Sequence, residues 1–220
     1  LLGLGGGIFV VPLLTGVLGV STHHAIGASA VAVIATSSVA GSMYLRHNMV
    51  NIQLGTRLEM ATVCGAILGA LSLTFASPRL LNAVFGMVML YTGVNMALGS
   101  GGEDAVQAPA GAQSPLDFTY DAPVRKIVIR YRVRRLRAGI AISLIGGYVS
   151  GILGVGGGVF NVPAMSSLMG VPLKVAAATS AYMIGVTGTA GAFIQYTHGL
   201  IDPLLALPVA IGVMAGALTG

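Results

Sequence analysis

Apolar residues run along this chain in long unbroken blocks, without the alternation of a strand or the one-faced stripe of a surface helix. Cut at polar and turn residues, the blocks are 1–20, 25–45, 54–76, 80–99, 138–170, 175–197 and 203–220. The breaks fall at Ser21-Thr22-His23-His24, Arg46-His47-Asn48, Ser77-Pro78-Arg79 and His198-Gly199. Most blocks approach the roughly 20 residues that a spanning helix needs. Membrane barrel strands would be about 10 residues long with strict alternation. The pattern therefore predicts an all-α polytopic membrane protein.

Composition sharpens this. Hydrophobic residues make up 55% and charged residues 8%, with a mean hydropathy of +0.89. A soluble domain carries about 25% charged residues, so this chain cannot cover its own surface in water. Disorder is excluded by the same hydrophobicity, and a disulfide framework by the single Cys64. The net charge of +5 is local: seven of eleven basic residues lie between Arg125 and Arg137. The chain divides into a first membrane repeat (1–99), a polar and basic connector (100–137) and a second membrane repeat (138–220). Within the connector, 99–117 reads as a flexible Gly/Pro/Ser linker. Residues 124–137 alternate basic and apolar, which suits anionic lipid headgroups better than nucleic acid.

The two membrane parts are related. Gly3-Leu4-Gly5-Gly6-Gly7-Ile8-Phe9-Val10-Val11-Pro12 recurs as Gly154-Val155-Gly156-Gly157-Gly158-Val159-Phe160-Asn161-Val162-Pro163, offset by 151 residues. The register continues to the end of the chain without gaps, with 18 of 67 aligned positions identical. The duplication predicts a further helix before residue 1 and another after residue 220, because each repeat holds an apolar run that the other lacks.

The run from Ala138 to Gly170 is 33 residues, about 50 Å as one helix against a hydrocarbon core of about 30 Å. Gly154 to Gly158 supplies the break, and Pro12 and Pro163 begin or bend the next helical piece. The expectation is two helices meeting at the glycines, or a hairpin turning back within the protein. Unwound backbone at membrane depth is tolerated only inside protein or beside water, where helix N-termini can receive an anion. Paired broken helices in two halves point to a transporter site. A dinucleotide fingerprint fails because Ile8 and Val159 occupy the third glycine position, and no Gly-Lys-Ser/Thr occurs. With the connector cytoplasmic and each Gly-rich element a hairpin, the halves become inverted repeats. That puts Arg46, Arg57 and Lys174 inside and Asp202 outside, with Arg79 the one exception.

The duplicated Gly-x-Gly-Gly-Gly-x-Phe-x-x-Pro motif, about 150 residues apart in an apolar chain with one polar central loop, resembles the sulfite exporter TauE/SafE family. The resemblance covers nearly the whole chain except the connector. It implies a secondary transporter of the bacterial inner membrane, usually exporting small sulfur oxyanions. The motif positions carried over are Gly3, Gly5, Gly6, Gly7 and Pro12 with Gly154, Gly156, Gly157, Gly158 and Pro163. Ser29 and Ser180, each followed by alanine, match the family's small-hydroxyl segment.

The candidate substrate-binding residues are Gly5, Gly6, Gly7, Gly156, Gly157, Gly158, Asn161, Ser29, Ser180, Thr179, Thr36, Thr187 and Gln195. Asn161 falls three residues past the glycines, where a buried amide needs a partner, either the substrate or a neighbouring helix. Thr36 and Thr187 share a helix face with Ser29 and Ser180; the plainer expectation for each is a bond to its own helix carbonyls. Gln195 and Tyr196 line a mouth or sit at the membrane interface. Arg57 and Glu59 are candidate coupling residues if drawn into the bilayer, and interfacial groups if they remain at a helix start. Scattered glycines such as Gly65, Gly69 and Gly216 read as helix-packing positions. The histidines fall at loops, and His23-His24 lacks helical metal spacing.

The sequence thus predicts a non-enzymatic secondary transporter that exports a sulfite- or sulfonate-like anion by alternating access. It requires no cofactor or metal, meets membrane lipid but no nucleic acid, and has a homodimer as a candidate assembly. The alternatives are an anion channel of the same fold, a non-transporting membrane scaffold or an intramembrane enzyme; Cys64, alone in an apolar run, gives the last little support.

Overall fold

A computed structural model describes residues 6–97, 117–122 and 127–219. Each apolar block folds as helix, since a helix satisfies its own backbone where no water can. The first repeat holds α1 (Gly7–Gly16), α2 (Thr22–Arg46), α3 (Ile52–Leu73) and α4 (Pro78–Ala97). The second holds α5 (Leu136–Leu153), α6 (Gly158–Pro163), a π-helical turn (Ala164–Leu168), α7 (Leu173–Thr197) and α8 (Pro203–Thr219). By length and composition α2, α3 and α5 can each cross a membrane.

The exterior is apolar, and polar side chains are buried within a mostly apolar core. Phe9, Met60, Phe75, Phe193 and Leu204 face outward, while Ser29, Asn51, Glu59, Asn161, Thr187 and Gln195 are buried. Only a surrounding hydrocarbon phase makes that distribution stable. The chain is a multi-pass membrane protein.

The duplication extends to helix ends. α2 and α7 are both 25 residues and begin 151 positions apart. Their C-caps, His47 and His198, have φ/ψ of −91/9 and −92/6. The next residues, Asn48 and Gly199, are both left-handed. Asn51 Oδ1 then accepts from Leu54 N to start α3, and Asp202 Oδ1 from Leu204 N to start α8.

Two seams bring the repeats together. Along the first, α3 and α5 pack through glycines. A Cβ on Gly147 would strike the Thr62 carbonyl, one on Gly151 the Ala66 carbonyl, one on Gly65 the Leu144 carbonyl and one on Gly69 the Tyr148 carbonyl. Ascending positions meet ascending positions, so the two helices run the same way. Both carry Gly-x-x-x-Gly, the spacing that lets membrane helices approach at backbone distance. The packing expected at Gly65 and Gly69 is met there; Gly216 has nothing within 4 Å of its missing Cβ.

Along the second seam, α2 runs antiparallel to α7. Ser37 Oγ lies 3.4 Å from the Cβ position of Gly185, and Ile34 Cγ1 lies 3.1 Å from that of Gly188. The 151-residue shift exchanges these two contacts.

The connector departs from expectation. Its 117–122 and 127–132 segments form an antiparallel ribbon, β1 (Asp117–Ala122) and β2 (Ile127–Arg132), with Ala122 opposite Ile127. Among their described residues the membrane repeats hold helices and no strand, and the ribbon lies in the connector between them. The alternation of apolar and basic residues over Ile129–Arg132 has period two, which is strand periodicity. Tyr131 and Val133 are buried against Leu54, Leu58, Met165 and Met169, so this segment packs into the protein besides any contact with lipid. Most of the expected Gly/Pro/Ser linker lies outside the described residues.

Candidate functional site

The break expected in the long apolar run is present. α5 ends at Leu153, and Gly154 caps it at φ +63 with its N–H on the Ser150 carbonyl. Gly156 sits at φ +82, a conformation that costs a side-chain-bearing residue strain. α6 begins at Gly158, with Asn161 N on the Gly157 carbonyl. Pro163 has no N–H to donate, and the helix widens directly after it into the π-helical turn, with Met169 N reaching the Ala164 carbonyl. α1 behaves differently: Pro12 lies within a continuous helix. Gly6 takes φ +71 at its start, and Gly5 lies outside the described residues.

The two glycine elements meet. Ser29, fully buried on α2, has its Oγ 2.9 Å from the Gly154 carbonyl and 3.2 Å from the Gly7 carbonyl. A hydroxyl has one proton to donate, so one group serves both repeats. The Cβ position of Gly7 is 2.8 Å from Ser29 Oγ and 2.9 Å from the Gly154 oxygen; no larger residue fits without a shift.

Beside this junction is a small hollow lined by Val33, Ser150, Gly154, Gly156, Thr187 and Gln195. Its volume is about 10 Å³, close to the minimum that holds one water. Gln195, expected at a mouth or interface, is buried; its Nε2 donates to the Gly151 carbonyl at 3.1 Å, and its Oε1 has no partner. Tyr196 faces outward. A larger hollow of about 150 Å³, among α1, α2 and α4, includes Pro12, Thr15, Thr22 and Asn82. It contains no unpartnered buried polar atom and touches the second repeat only at Leu153.

Glu59 is buried within the protein. It is 8% exposed, and its Oε1 accepts from Thr187 Oγ1 at 2.7 Å. Arg57, two residues away and so on a different helix face, is exposed. Thr36, the counterpart of Thr187, donates to the Ala32 and Val33 carbonyls of its own helix. Thr179 Oγ1 accepts from Asn51 N, and Ser180 is fully buried. Asn161 is 1% exposed with neither side-chain polar atom partnered. Gly157 adjoins it: a Cβ there would lie 3.3 Å from Asn161 Nδ2 and 3.2 Å from Thr62 Cγ2. Gly158, at the start of α6, is buried.

Unpartnered buried polar atoms therefore occur on Glu59, Ser143, Asn161 and Gln195. Each costs about 1–3 kcal/mol, so each marks a place where a polar partner would be stabilising; of the four residues, Gln195 lines the hollow. Ser143 and Ser150 were missed by the sequence reading. Their signal was legible as a small-residue stripe at helical spacing: Gly139, Ser143, Gly146-Gly147, Ser150-Gly151. Tyr131, whose Oη accepts from Asn51 Nδ2 at 2.9 Å, was missed because its contact is long-range. Burial raises its pKa to about 12, with the Asn51 bond opposing.

Comparison with known proteins agrees with this architecture. The chain is 28% identical, over its whole length and 81% of the relative, to a probable membrane transporter protein, YunE, of Bacillus subtilis (strain 168). It is 29% identical, over 98% of this chain and 76% of the relative, to a probable membrane transporter protein of Xylella fastidiosa (strain 9a5c). No solved structure matches. The family model described as sulfite exporter TauE/SafE matches residues 1–220. This chain belongs to the TauE/SafE family of membrane transporters.

Proposed function

We propose that this protein is a secondary transporter of the bacterial inner membrane, exporting a small sulfur-containing anion, sulfite or a sulfonate, by alternating access between inverted halves. The observation that carries this reading is the meeting of Gly7 and Gly154 at Ser29, beside a hollow lined from both repeats. Inversion is supported by the antiparallel α2–α7 seam: a two-fold axis along the membrane normal would leave equivalent helices parallel. A returning hairpin is supported by Gly146 against Phe160 and Gly139 against Met169, contacts in which one segment ascends as the other descends.

Arg46, Arg57, Arg79, Arg134, Arg135, Arg137, Lys174 and the four histidines are none of them buried. The anion would be held by neutral donors: the Asn161 amide is free of partners and Gln195 Nε2 has a second N–H beyond its bond to Gly151, whereas Ser29 and Thr187 would have to release the protons they give to the glycine carbonyls and to Glu59. A hollow of about 10 Å³ does not admit a four-atom anion, so this reading requires the hollow to widen. Access requires α2 and α7 to move against the glycine elements. The relatives' description as probable membrane transporters fits this reading.

The test is counterflow in proteoliposomes with labelled sulfite, methanesulfonate, sulfate and thiosulfate. Saturable uptake accelerated by the same anion inside supports the carrier. Unsaturable flux without counterflow would make it a channel, and no flux would remove the anion reading.

A further inference from the structure

We propose that Glu59 takes up a proton when the anion binds, and that Thr187 links the two events. The proposal rests on the anion-site reading above and adds a coupling group to it. Thr187 belongs to both places: its side chain donates to Glu59 Oε1 at 2.7 Å, and the residue lines the hollow beside Gly154 and Gly156. Glu59 Oε2 is buried with no partner. Thr62, one turn along α3, adjoins Gly157 and Asn161. Ser143, whose Oγ is also unpartnered, lies one turn before Gly147, the residue that packs on Thr62. Glu59 and Ser143 therefore stand at the same level of two parallel helices.

Among the described side chains, none that is basic bonds to Glu59. α5 presents Ser143 and Gly147, and α7 presents Thr187 and, toward Gly55, Met183 and Tyr182. The ribbon brings Tyr131 to Asn51 and Leu54, at the far end of α3's first turns. Arg57 on α3, Arg137 on α5 and Lys174 on α7 are all exposed. A bound anion beside Thr187 would face the Glu59 charge through a medium with little screening. Protonation of the carboxylate to the acid, one proton taken up at Glu59 for each anion bound, removes that repulsion. On anion release the proton leaves. Because linkage is reciprocal, a proton on Glu59 tightens anion binding by the same factor that the anion favours the proton.

The second repeat cannot do this. Ala210 stands at the position equivalent to Glu59, and Thr36 is turned onto its own helix carbonyls. A single protonatable group thus serves a site built from two halves.

The experiment measures the apparent affinity for methanesulfonate by counterflow from pH 5 to 9, a range over which this probe keeps its charge; sulfite, sulfate and thiosulfate serve as further probes. In the wild-type protein, affinity falls with rising pH, approaching tenfold per unit where Glu59 titrates. Glu59→Gln, which can still accept from Thr187, keeps binding and loses the dependence. Thr187→Val keeps the fold and weakens the dependence, whereas Arg57→Gln at the exposed surface leaves it intact. A wild-type affinity flat across this range, or the full slope retained in Glu59→Gln, overturns the proposal while leaving the transporter reading in place. Absence of saturable flux with all four anions removes both.

Discussion

Ser29 and Gly154 lie 125 residues apart in the chain and 2.9 Å apart at hydroxyl and carbonyl. Through that bond the first repeat holds the broken helix of the second, and the same hydroxyl reaches the Gly7 carbonyl of its own repeat. The fold's internal symmetry converges on one side chain.

Ser29→Ala leaves two buried carbonyls without this donor. The loss should be about 1–3 kcal/mol of stability, read as a lower melting temperature in detergent, with a larger fall in transport because the two glycine elements are no longer tied. Unchanged melting and flux would show that the bond is incidental.

Gly156→Ala places a methyl at φ +82, 2.9 Å from Val33 Cγ1 and 3.0 Å from Ile184 Cγ2. The left-handed backbone alone costs about 1–2 kcal/mol. Gly157→Val presses on Thr62 and Asn161 instead. Both variants should reach the membrane, as judged by fractionation, and both should lose most uptake. Full activity in either would argue against a site at the second break.

Gly147→Leu drives a side chain into the Thr62 backbone across the α3–α5 seam, where backbone cannot yield cheaply. It should cost more than 3 kcal/mol, enough to abolish recovery of folded protein on size-exclusion chromatography. Gly93→Ala on α4 meets nothing within 4 Å, and should be neutral or stabilising by up to about 1 kcal/mol through helix propensity.

Tyr131 gives a pH signature outside the spanning helices. Its folded pKa of about 12 stands above the ordinary value of 10, so folding favours the neutral phenol. The stability this contributes is complete below pH 10 and is lost as pH rises toward 12. Melting curves should show that decline, and Tyr131→Phe should flatten it while lowering stability at neutral pH, because Asn51 Nδ2 loses its acceptor.

The sequence by itself determined the helices, their approximate ends, the 151-residue duplication and the break at Gly154–Gly158. Those features are local: in hydrocarbon an apolar run must close its own hydrogen bonds, and glycines that take a left-handed backbone, as Gly154 and Gly156 do, end a helix. The strand character of Ile129–Arg132 was local too, written in its alternation. Only the tertiary structure decided that Glu59 meets Thr187, that Asn161 and Ser143 lack partners, and that Tyr131 packs beside Leu54. These depend on which faces of distant helices touch. The register that fixes those faces is set by glycines pressing backbone against backbone between elements about 80 to 150 residues apart, and no window of sequence contains both sides of such a contact.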